Sequence, residues 1–341
     1  MVAAPPLVSV VTPVYNGERY LAECIESVLA QTYEHWEYVI VDNCSTDRTR
    51  EIAERYGQKD SRVRVHANQT FVDVLRNHNI AFRQISQASA YCKVVQADDW
   101  IFPECLERMV AVGEAHPTVG IVGAYRLDGA EVGCDGLPYP SPIISGRELC
   151  RAILLGGPGV FGSPTTILIR AEHVRGREAF FDESDIHADT AACFEVLQST
   201  DFGFVHQVLT FTRRREESQT SVEEERNSYL PSGLRHLAKY GPVFLSEAER
   251  AAVAATLLRF YYRFLARSVL EGRDREFWTY HRQQLESLEY GFSRARVLRM
   301  ALGYAPKALL RPGDVARRVA RRVARLGRYA RRRLPGRRGE H

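Results

Sequence analysis

Leu7-Val-Ser-Val-Val-Thr-Pro-Val-Tyr-Asn-Gly-Glu-Arg-Tyr-Leu21 changes period in its middle. Leu7 to Val11 is a short apolar run rich in β-branched residues, stopped by Pro13 and by Asn16-Gly17, and it reads as a buried strand. From Glu18 the apolar residues Leu21, Ile25, Val28 and Leu29 recur at helical spacing, to about Gln31. Trp36 to Val41 is again strand-like. Strand, helix, strand within so short a stretch is the repeating unit of a parallel sheet.

The alternation continues outward. Ser45 is the expected N-cap of a helix carrying Ile52, Ala53 and Tyr56, with Gly57 as its stop. Val63–Val65 reads as a third strand, Val72–Ile85 as a third helix and Tyr91–Gln96 as a fourth strand. Pro103 opens a helix to about His116, and Val119–Ala124 closes the series. Beyond 125 the pattern loosens. Ser145 and Glu148 form a capping-box signature, Thr165–Ile169 and Phe202–Phe211 read as strands, Ala188–Leu197 as helix, and the chain beyond Ser246 as helix throughout. The expected class is α/β, a doubly wound and mostly parallel sheet with a helical C-terminal region.

In such sheets ligands bind beyond the carboxyl ends of the strands. Those ends carry Thr12-Pro-Val-Tyr15, Asp42-Asn43 and Asp98-Asp99. The adjacent carboxylates of Asp98 and Asp99 suit a hard divalent cation whose shell is completed by diphosphate oxygens, or, equally on the pair alone, a helix cap and a solvated neighbour. Asp42 suits a nucleobase N–H or a ribose hydroxyl, or an Asx-turn.

Taken together the segments become specific. Val8 to Leu21, Ser27-Val-Leu-Ala-Gln-Thr-Tyr33, Val39-Ile-Val-Asp-Asn-Cys-Ser-Thr-Asp47 and Val95-Gln-Ala-Asp-Asp-Trp100 resemble, in order, the family-2 glycosyltransferases of GT-A fold. The resemblance is dense over 7–125 and loose over 126–220. It implies a non-processive, inverting bacterial enzyme that moves one sugar from a nucleotide-diphosphate-sugar donor to a hydroxyl of a glycan or lipid-linked acceptor, in surface polysaccharide synthesis. By position it implies a donor pocket of Thr12, Pro13, Tyr15, Glu18 and Asp42, with Arg76 near the donor phosphates. Asp98 and Asp99 would form a metal and ribose site that binds Mn²⁺ or Mg²⁺ on the donor diphosphate, Asp98 also contacting the donor, and Asp189 would be the catalytic base. Arg215 stands where members often place a histidine beside the diphosphate, with Arg213 and Arg214 as competitors. The sequence departs from the family pattern in three further places, one being Gln69-Thr70 where many members have a glycine after Asn68. Gln96 replaces the first carboxylate of the usual Asp-x-Asp, and Ala188 the common glutamate before the base. Gly162-Ser-Pro-Thr-Thr166 resembles an acceptor-side loop, and His187 and His173 read as ordinary polar surface.

The implied organisation is a GT-A domain over 1–225 (nucleotide-sugar half 1–125, acceptor half 126–225), a helical region over 226–293 and a basic tail over 294–341. The tail holds sixteen Lys/Arg against Asp314 and Glu340, whereas the whole chain has a net charge of only +4. Between Asp314 and Arg333, Val315, Val319, Val323 and Leu326 form an apolar stripe among arginines, the character of a helix lying on an anionic membrane. No interleaved aromatics point to nucleic acid. The seven cysteines have no metal-type spacing and fit a reducing compartment. No apolar run approaches the roughly 20 residues of a membrane span, so the expected location is cytoplasmic, with the tail peripheral on the inner face. Two rivals are a sugar nucleotidyltransferase, which lacks support because its basic glycine-rich loop is missing, and a degenerate binding or scaffold protein, favoured by Gln96 and Ala188.

Overall fold

The computed structural model describes residues 4–214 and 227–303. The chain divides into two compact units, Met1–Ala254 and Ala255–His341. The first begins β1 (Leu7–Val14), α1 (Leu21–Leu29), β2 (Trp36–Asp42), α2 (Thr49–Lys59), β3 (Val63–Ala67), α3 (Val74–Arg83) and β4 (Ser89–Val94). It continues β5 (Trp100–Ile101), α4 (Cys105–Ala115), β6 (Val119–Asp128), β7 (Glu131–Gly133), β8 (Ile143–Ile144) and α5 (Gly146–Leu154). Then come β9 (Leu168–Arg170), α6 (Ala171–Arg175), α7 (Ala188–Val196), β10 (Asp201–Thr212), α8 (Tyr229–Phe244) and the start of α9 (Glu247–Leu270).

The sheet order is β3-β2-β1-β4-β9-β6-β10-β5. β1 pairs in parallel with β2 and β4, β2 with β3, and β6 with β10. β9 is antiparallel to both β4 and β6. Hence β3, β2, β1, β4, β6 and β10 all run one way, with β9 inserted against them. The chain winds outward from β1 to β3 and returns to β4 on the other side of β1. That reversal opens a crevice at the carboxyl ends of β1 and β4.

Strand alternation sorts the two faces. Val8, Val10, Val14, Tyr38 and Ile40 pack with Leu21, Ile25, Ile52, Leu106 and Met109 of α1, α2 and α4. The intervening Val11, Val39 and Val41 are equally buried on the opposite face, where α3 lies against β1 and β2. Each buried aliphatic side chain of this kind contributes about 1.5–3 kcal/mol, so two covered faces hold the strand ends in register.

Several local expectations are corrected. The second helix starts at Thr49, not after Ser45, because Ser45 is held in the preceding turn, its N–H donating to Asp42. The helix also runs through Gly57 to Lys59; a Cβ on Gly57 would stand 3.3 Å from the Val63 carbonyl, so that glycine permits close approach to β3. Ser145 precedes α5 but makes no side-chain cap bond, and the capping box lies instead at Ser163 and Thr166. Thr165 and Thr166 belong to that 3₁₀ turn, leaving the strand to Leu168–Arg170. Within the first unit α8 packs on α5 and α7: Phe194 stacks on Tyr240 at 5.1 Å, and Arg147 donates to the Val243 carbonyl.

The described part of the second unit is the rest of α9, then α10 (Arg275–Ser287) and α11 (Arg294–Leu302), capped by Asp274 and Ser293. Tyr261 and His281 share a buried hydrogen bond of 2.7 Å, and Arg296 lies 4.1 Å from the Tyr262 ring centre. Among the described residues no helix is long and apolar enough to cross a membrane. All seven cysteines are free. The expected amphipathic helix over 314–333 and Arg215 lie outside the described residues.

Candidate active site

The loops after β1 and β2 are zipped together. Asn16 N–H donates to Ser45 Oγ (3.0 Å) and Thr46 N–H returns a bond to Asn16 Oδ1 (2.8 Å). Gly17 N–H donates to Thr49 Oγ1 and Glu18 N–H to Asp47. Glu18 in turn accepts from the Arg48 backbone and guanidinium (3.1 and 3.3 Å). A side chain at Gly17 would strike Val14 Cγ2 at 2.6 Å, so the tight exit from β1 requires glycine.

Of the expected donor residues, Thr12 is fully buried. Its hydroxyl donates to the Val95 carbonyl (2.7 Å) and meets Tyr38 Oη (2.7 Å), so it braces β1 against the loop after β4 from within. Pro13 is buried in β1, and Asp42 is 2% exposed. Tyr15 is about half exposed and meets the exposed Phe71 edge-on, ring centres 4.9 Å apart, an aromatic surface at the rim. Asn43, Asn68 and Asn77 form a chain of amide hydrogen bonds that fixes the loop before α3. Arg76 is exposed on α3 and lines a cleft of about 760 Å³ whose other walls include Ala188 and Ala192 of α7.

The loop after β4 is held from three sides. Thr165 Oγ1 donates to Asp99 Oδ2 (2.7 Å) and accepts from Gln96 N–H (3.1 Å). The backbone N–H of Arg213 donates to Asp99 Oδ1 (3.1 Å), and the Arg213 guanidinium donates to the Asp98 carbonyl, pairs with Glu23 and lies 4.5 Å from the Tyr20 ring centre. Beneath, the fully buried Lys93 donates to the Thr165 and Ile167 carbonyls (2.5 and 3.2 Å). The Gly162–Thr166 segment thus braces the Asp98–Asp99 loop. Arg214 pairs instead with Asp128 at 2.7 Å.

Burial first, then the neighbouring Asp98, pushes the Asp99 carboxyl up to about 7. Two carboxylates so close in a poorly solvated place favour a cation between them and a ligand. Among the described residues no three His, Cys, Asp or Glu gather as a complete metal cage. The oxygen donors fit a Mg²⁺- or Mn²⁺-type ion that takes the rest of its shell from diphosphate and water. Asp98 is the more accessible of the two, since Asp99 is 4% exposed with both oxygens engaged.

Asp189 lies at the start of α7, where it accepts from Thr190 N–H (2.7 Å). Burial raises its pKa; His187, His236 and His78 lie within electrostatic range and oppose the rise. The turn before it is anchored on Asp185, which accepts from His187 N–H (3.1 Å) and from His236 of α8 (3.1 Å). Asp185 and His236 are 5% and 6% exposed, so this pair is a buried link. Burial raises Asp185, but the bonds from His236 and His187 outweigh it and hold the carboxyl below its usual range. His187 is not ordinary surface: its ring packs on Tyr229 and its Nε2 lies 3.1 Å from Ser228 Oγ. Sequence reasoning also missed Lys93, hidden in an apolar run, and His236, whose partner is distant in sequence.

A profile of glycosyl transferase family 2 matches residues 9–175. The chain is 31% identical over 237 residues to glycosyltransferase GlyG of Streptococcus pneumoniae, a match covering 64% of this chain and 74% of GlyG. The chain belongs to glycosyl transferase family 2. It spans little more than half, 56% and 58%, of the length of two other curated bacterial relatives of this family-2 chain. Among solved structures, S. aureus TarS 1–349 in complex with UDP-GlcNAc superposes with a TM-score of 0.62 at 20% identity, over 94% of this chain and 92% of that one. Mannosyltransferase PcManGT from Pyrobaculum calidifontis, in complex with GDP-Man and Mn²⁺, gives 0.51 at 15%, over 88% and 87%. The fold of this family-2 chain is therefore GT-A.

Proposed function

We propose that the chain is an inverting glycosyltransferase that transfers a single sugar from a nucleotide-diphosphate-sugar to a hydroxyl of a glycan or lipid-linked acceptor, in the assembly of a surface polysaccharide. The observation that carries the reading is the convergence on His78. Gln96, two residues before Asp98, shares a side-chain hydrogen bond with its ring, and Asp189 is within electrostatic range of it. This supports a reading in which the loop carrying Asp98 and the base Asp189 would border one place, where an anomeric carbon would sit. That TarS and PcManGT were solved with sugar nucleotides, one of them with Mn²⁺, supports the same ligand class here.

In this reading Tyr15 and Asp42 receive the nucleoside, Glu18 shapes the rim, and the buried Thr12 and Pro13 support the pocket from within β1. Asp98, with Asp99 behind it, would hold Mn²⁺ or Mg²⁺, which when bound offsets the charge developing on the departing nucleoside diphosphate. Arg76 and Arg215 add positive charge toward the phosphates. Asp189, raised by burial, takes the proton from the acceptor hydroxyl as its oxygen attacks the anomeric carbon from the face opposite the leaving group. The carbon–oxygen bond to phosphate breaks as the new glycosidic bond forms, and one displacement inverts the anomeric centre. The tail over 294–338 would bring the enzyme to an anionic membrane, and co-sedimentation with anionic vesicles that is lost at high salt tests it.

The test of function is the reaction of UDP-GlcNAc and GDP-Man with Mn²⁺, followed by proton NMR. An initial product of inverted anomeric configuration supports the reading, whereas a retained one overturns the mechanism.

A further inference from the structure

Arg76, Asn79, Ile80 and Arg83 recur at helical spacing along α3 and wall one side of the cleft of about 760 Å³. Ala188, Ala191, Ala192 and Glu195 repeat that spacing along α7 and wall the other. Two helix faces thus stand across a groove about 10 Å long, at 1.5 Å of rise per residue. One end lies in the first turn of α7, where Ala188 precedes Asp189. The segment before α7 lines the groove, fastened to α3: Asn79 exchanges hydrogen bonds with the Phe181 backbone (2.8 and 2.9 Å) and donates to Glu183 (3.2 Å).

At the far end the groove adjoins a smaller cavity of about 240 Å³, and Arg83, Arg177 and Phe180 line both. Arg175 joins them there, and Glu178 is the one carboxylate among the described lining residues of this cavity. Arg83 donates to the Glu178 carbonyl (3.0 Å), Arg175 to the Ser86 and Ser89 carbonyls (3.2 and 2.8 Å), and Arg177 to Glu195 (2.5 Å). Arg177 also lies 5.5 Å from the Phe180 ring centre. These bonds hold the three guanidinium groups in place and use few of their five N–H donors each. Carbonyl partners carry no net charge, and Glu195 is shared between Arg177 and Lys239. The small end is therefore positive, whereas the rest of the groove is mixed, with Asp182 in electrostatic range of Lys239 and Glu183 bonded to Asn79.

We propose that this groove holds the acceptor, and that Arg83, Arg175 and Arg177 at its far end take an anionic group, phosphate or carboxylate, carried by an acceptor glycan. This rests on the transfer reading above. A hydroxyl presented to Asp189 leaves the remainder of its chain to lie along the adjoining groove, where the alanines of α7 leave room for sugar rings. Carboxylate and guanidinium side chains along the walls suit vicinal hydroxyls, which both donate and accept. The guanidinium fork matches the paired oxygens of a carboxylate or a phosphate. A neutral glycan would leave three arginines around one small cavity without an anion among them.

The test is calorimetric titration of the full chain, without nucleotide or metal. The probes are oligogalacturonate for the carboxylate, a glycerol phosphate oligomer for the phosphate and maltotriose as the neutral glycan. The basic tail attracts anions too, so the difference between wild type and Arg83→Gln decides rather than binding itself. Arg83→Gln is expected to lose about five- to tenfold in affinity for one anionic probe and nothing for maltotriose. The probe that suffers the larger loss names the anion. Arg83→Lys, which keeps the charge, is expected to recover part of the loss. Equal affinities of wild type and Arg83→Gln for both anionic probes overturn the proposal. Should the glutamine variant not fold, the ¹⁵Nε resonances of Arg83 and Arg177 in the wild type decide. They are expected to shift with an anionic probe and not with maltotriose, and equal or absent shifts overturn the proposal. The titration needs no donor, so its failure removes the acceptor groove alone. Failure of nucleotide binding removes the transfer reading, and the inference falls with it.

Discussion

The two carboxylate stations of the site are built in different ways. Asp98 and Asp99 follow β4 directly, and their loop is pinned by the β9 turn below and by the end of β10 beside it. Asp189 stands at the head of α7, and the turn that aims it is secured by the buried Asp185–His236 link to α8 and by the His187–Ser228 contact. One station is part of the sheet; the other depends on a helix that follows the undescribed segment 215–226. Binding and chemistry should therefore be open to damage separately.

The largest separation is expected from Asp189→Asn. Turnover should fall about 10³-fold, the usual order for loss of a general base, with nucleotide affinity unchanged in titration. A variant that keeps wild-type turnover would remove Asp189 from the mechanism.

His236→Ala should come next. It leaves Asp185 buried without its partner, a change that costs about 3 kcal/mol by the measured behaviour of broken buried pairs, read as a lower denaturation midpoint. Turnover should drop while nucleotide affinity holds. The sign of the pH effect follows from the depressed Asp185 value: its stabilisation is present above the ordinary carboxylate range and lost as pH falls through the folded value. The variant lacks that contribution, so its stability should change less on acidification.

Thr165→Val attacks the other station. It removes a buried hydroxyl that serves both Asp99 and Gln96, so about 1–3 kcal/mol of stability should be lost. Here metal-dependent nucleotide affinity should weaken and the pH profile of turnover should stay put. Loss of turnover with unchanged affinity would mean that the two stations are not separable.

The smallest effect expected is a shift in the acid limb of turnover. In the proposed mechanism Asp189 acts ionised, and burial raises its pKa, so the rate should fall with decreasing pH at a point above the ordinary carboxylate range. His236→Ala should move that limb further up, because His236 helps lower the Asp189 pKa. A pH–rate profile of both proteins reads this.

Much of the sheet-borne station was legible in the sequence. Short apolar runs and period-3.6 patterns placed β1, β2 and β4, at or just beyond whose ends stand Tyr15, Asp42, Asp98 and Asp99. What misled was local chemistry overridden by a nearby partner. Ser45 resembled a cap, but Asp42 captures its N–H; Gly57 resembled a stop, but it lets the helix pass close to β3. The antiparallel β9 is three residues long and carries too little pattern to reveal its place. The helix-borne station was least legible, because Asp185, His187, Ser228 and His236 meet only through tertiary packing, and no spacing encodes that meeting.

In the proposed function the crevice at the ends of β1 and β4 binds a nucleoside diphosphate through a cation on the Asp98–Asp99 loop. Thermal unfolding of wild type and Asp98→Ala with UDP, GDP, dTDP or CMP, each with and without Mn²⁺, tests it most directly. One diphosphate, only with Mn²⁺, is expected to raise wild-type stability by about 2.7 kcal/mol at a hundredfold excess over its Kd, and Asp98→Ala is expected to lose the rise. No shift with any nucleotide, or an equal shift in the variant, would contradict it.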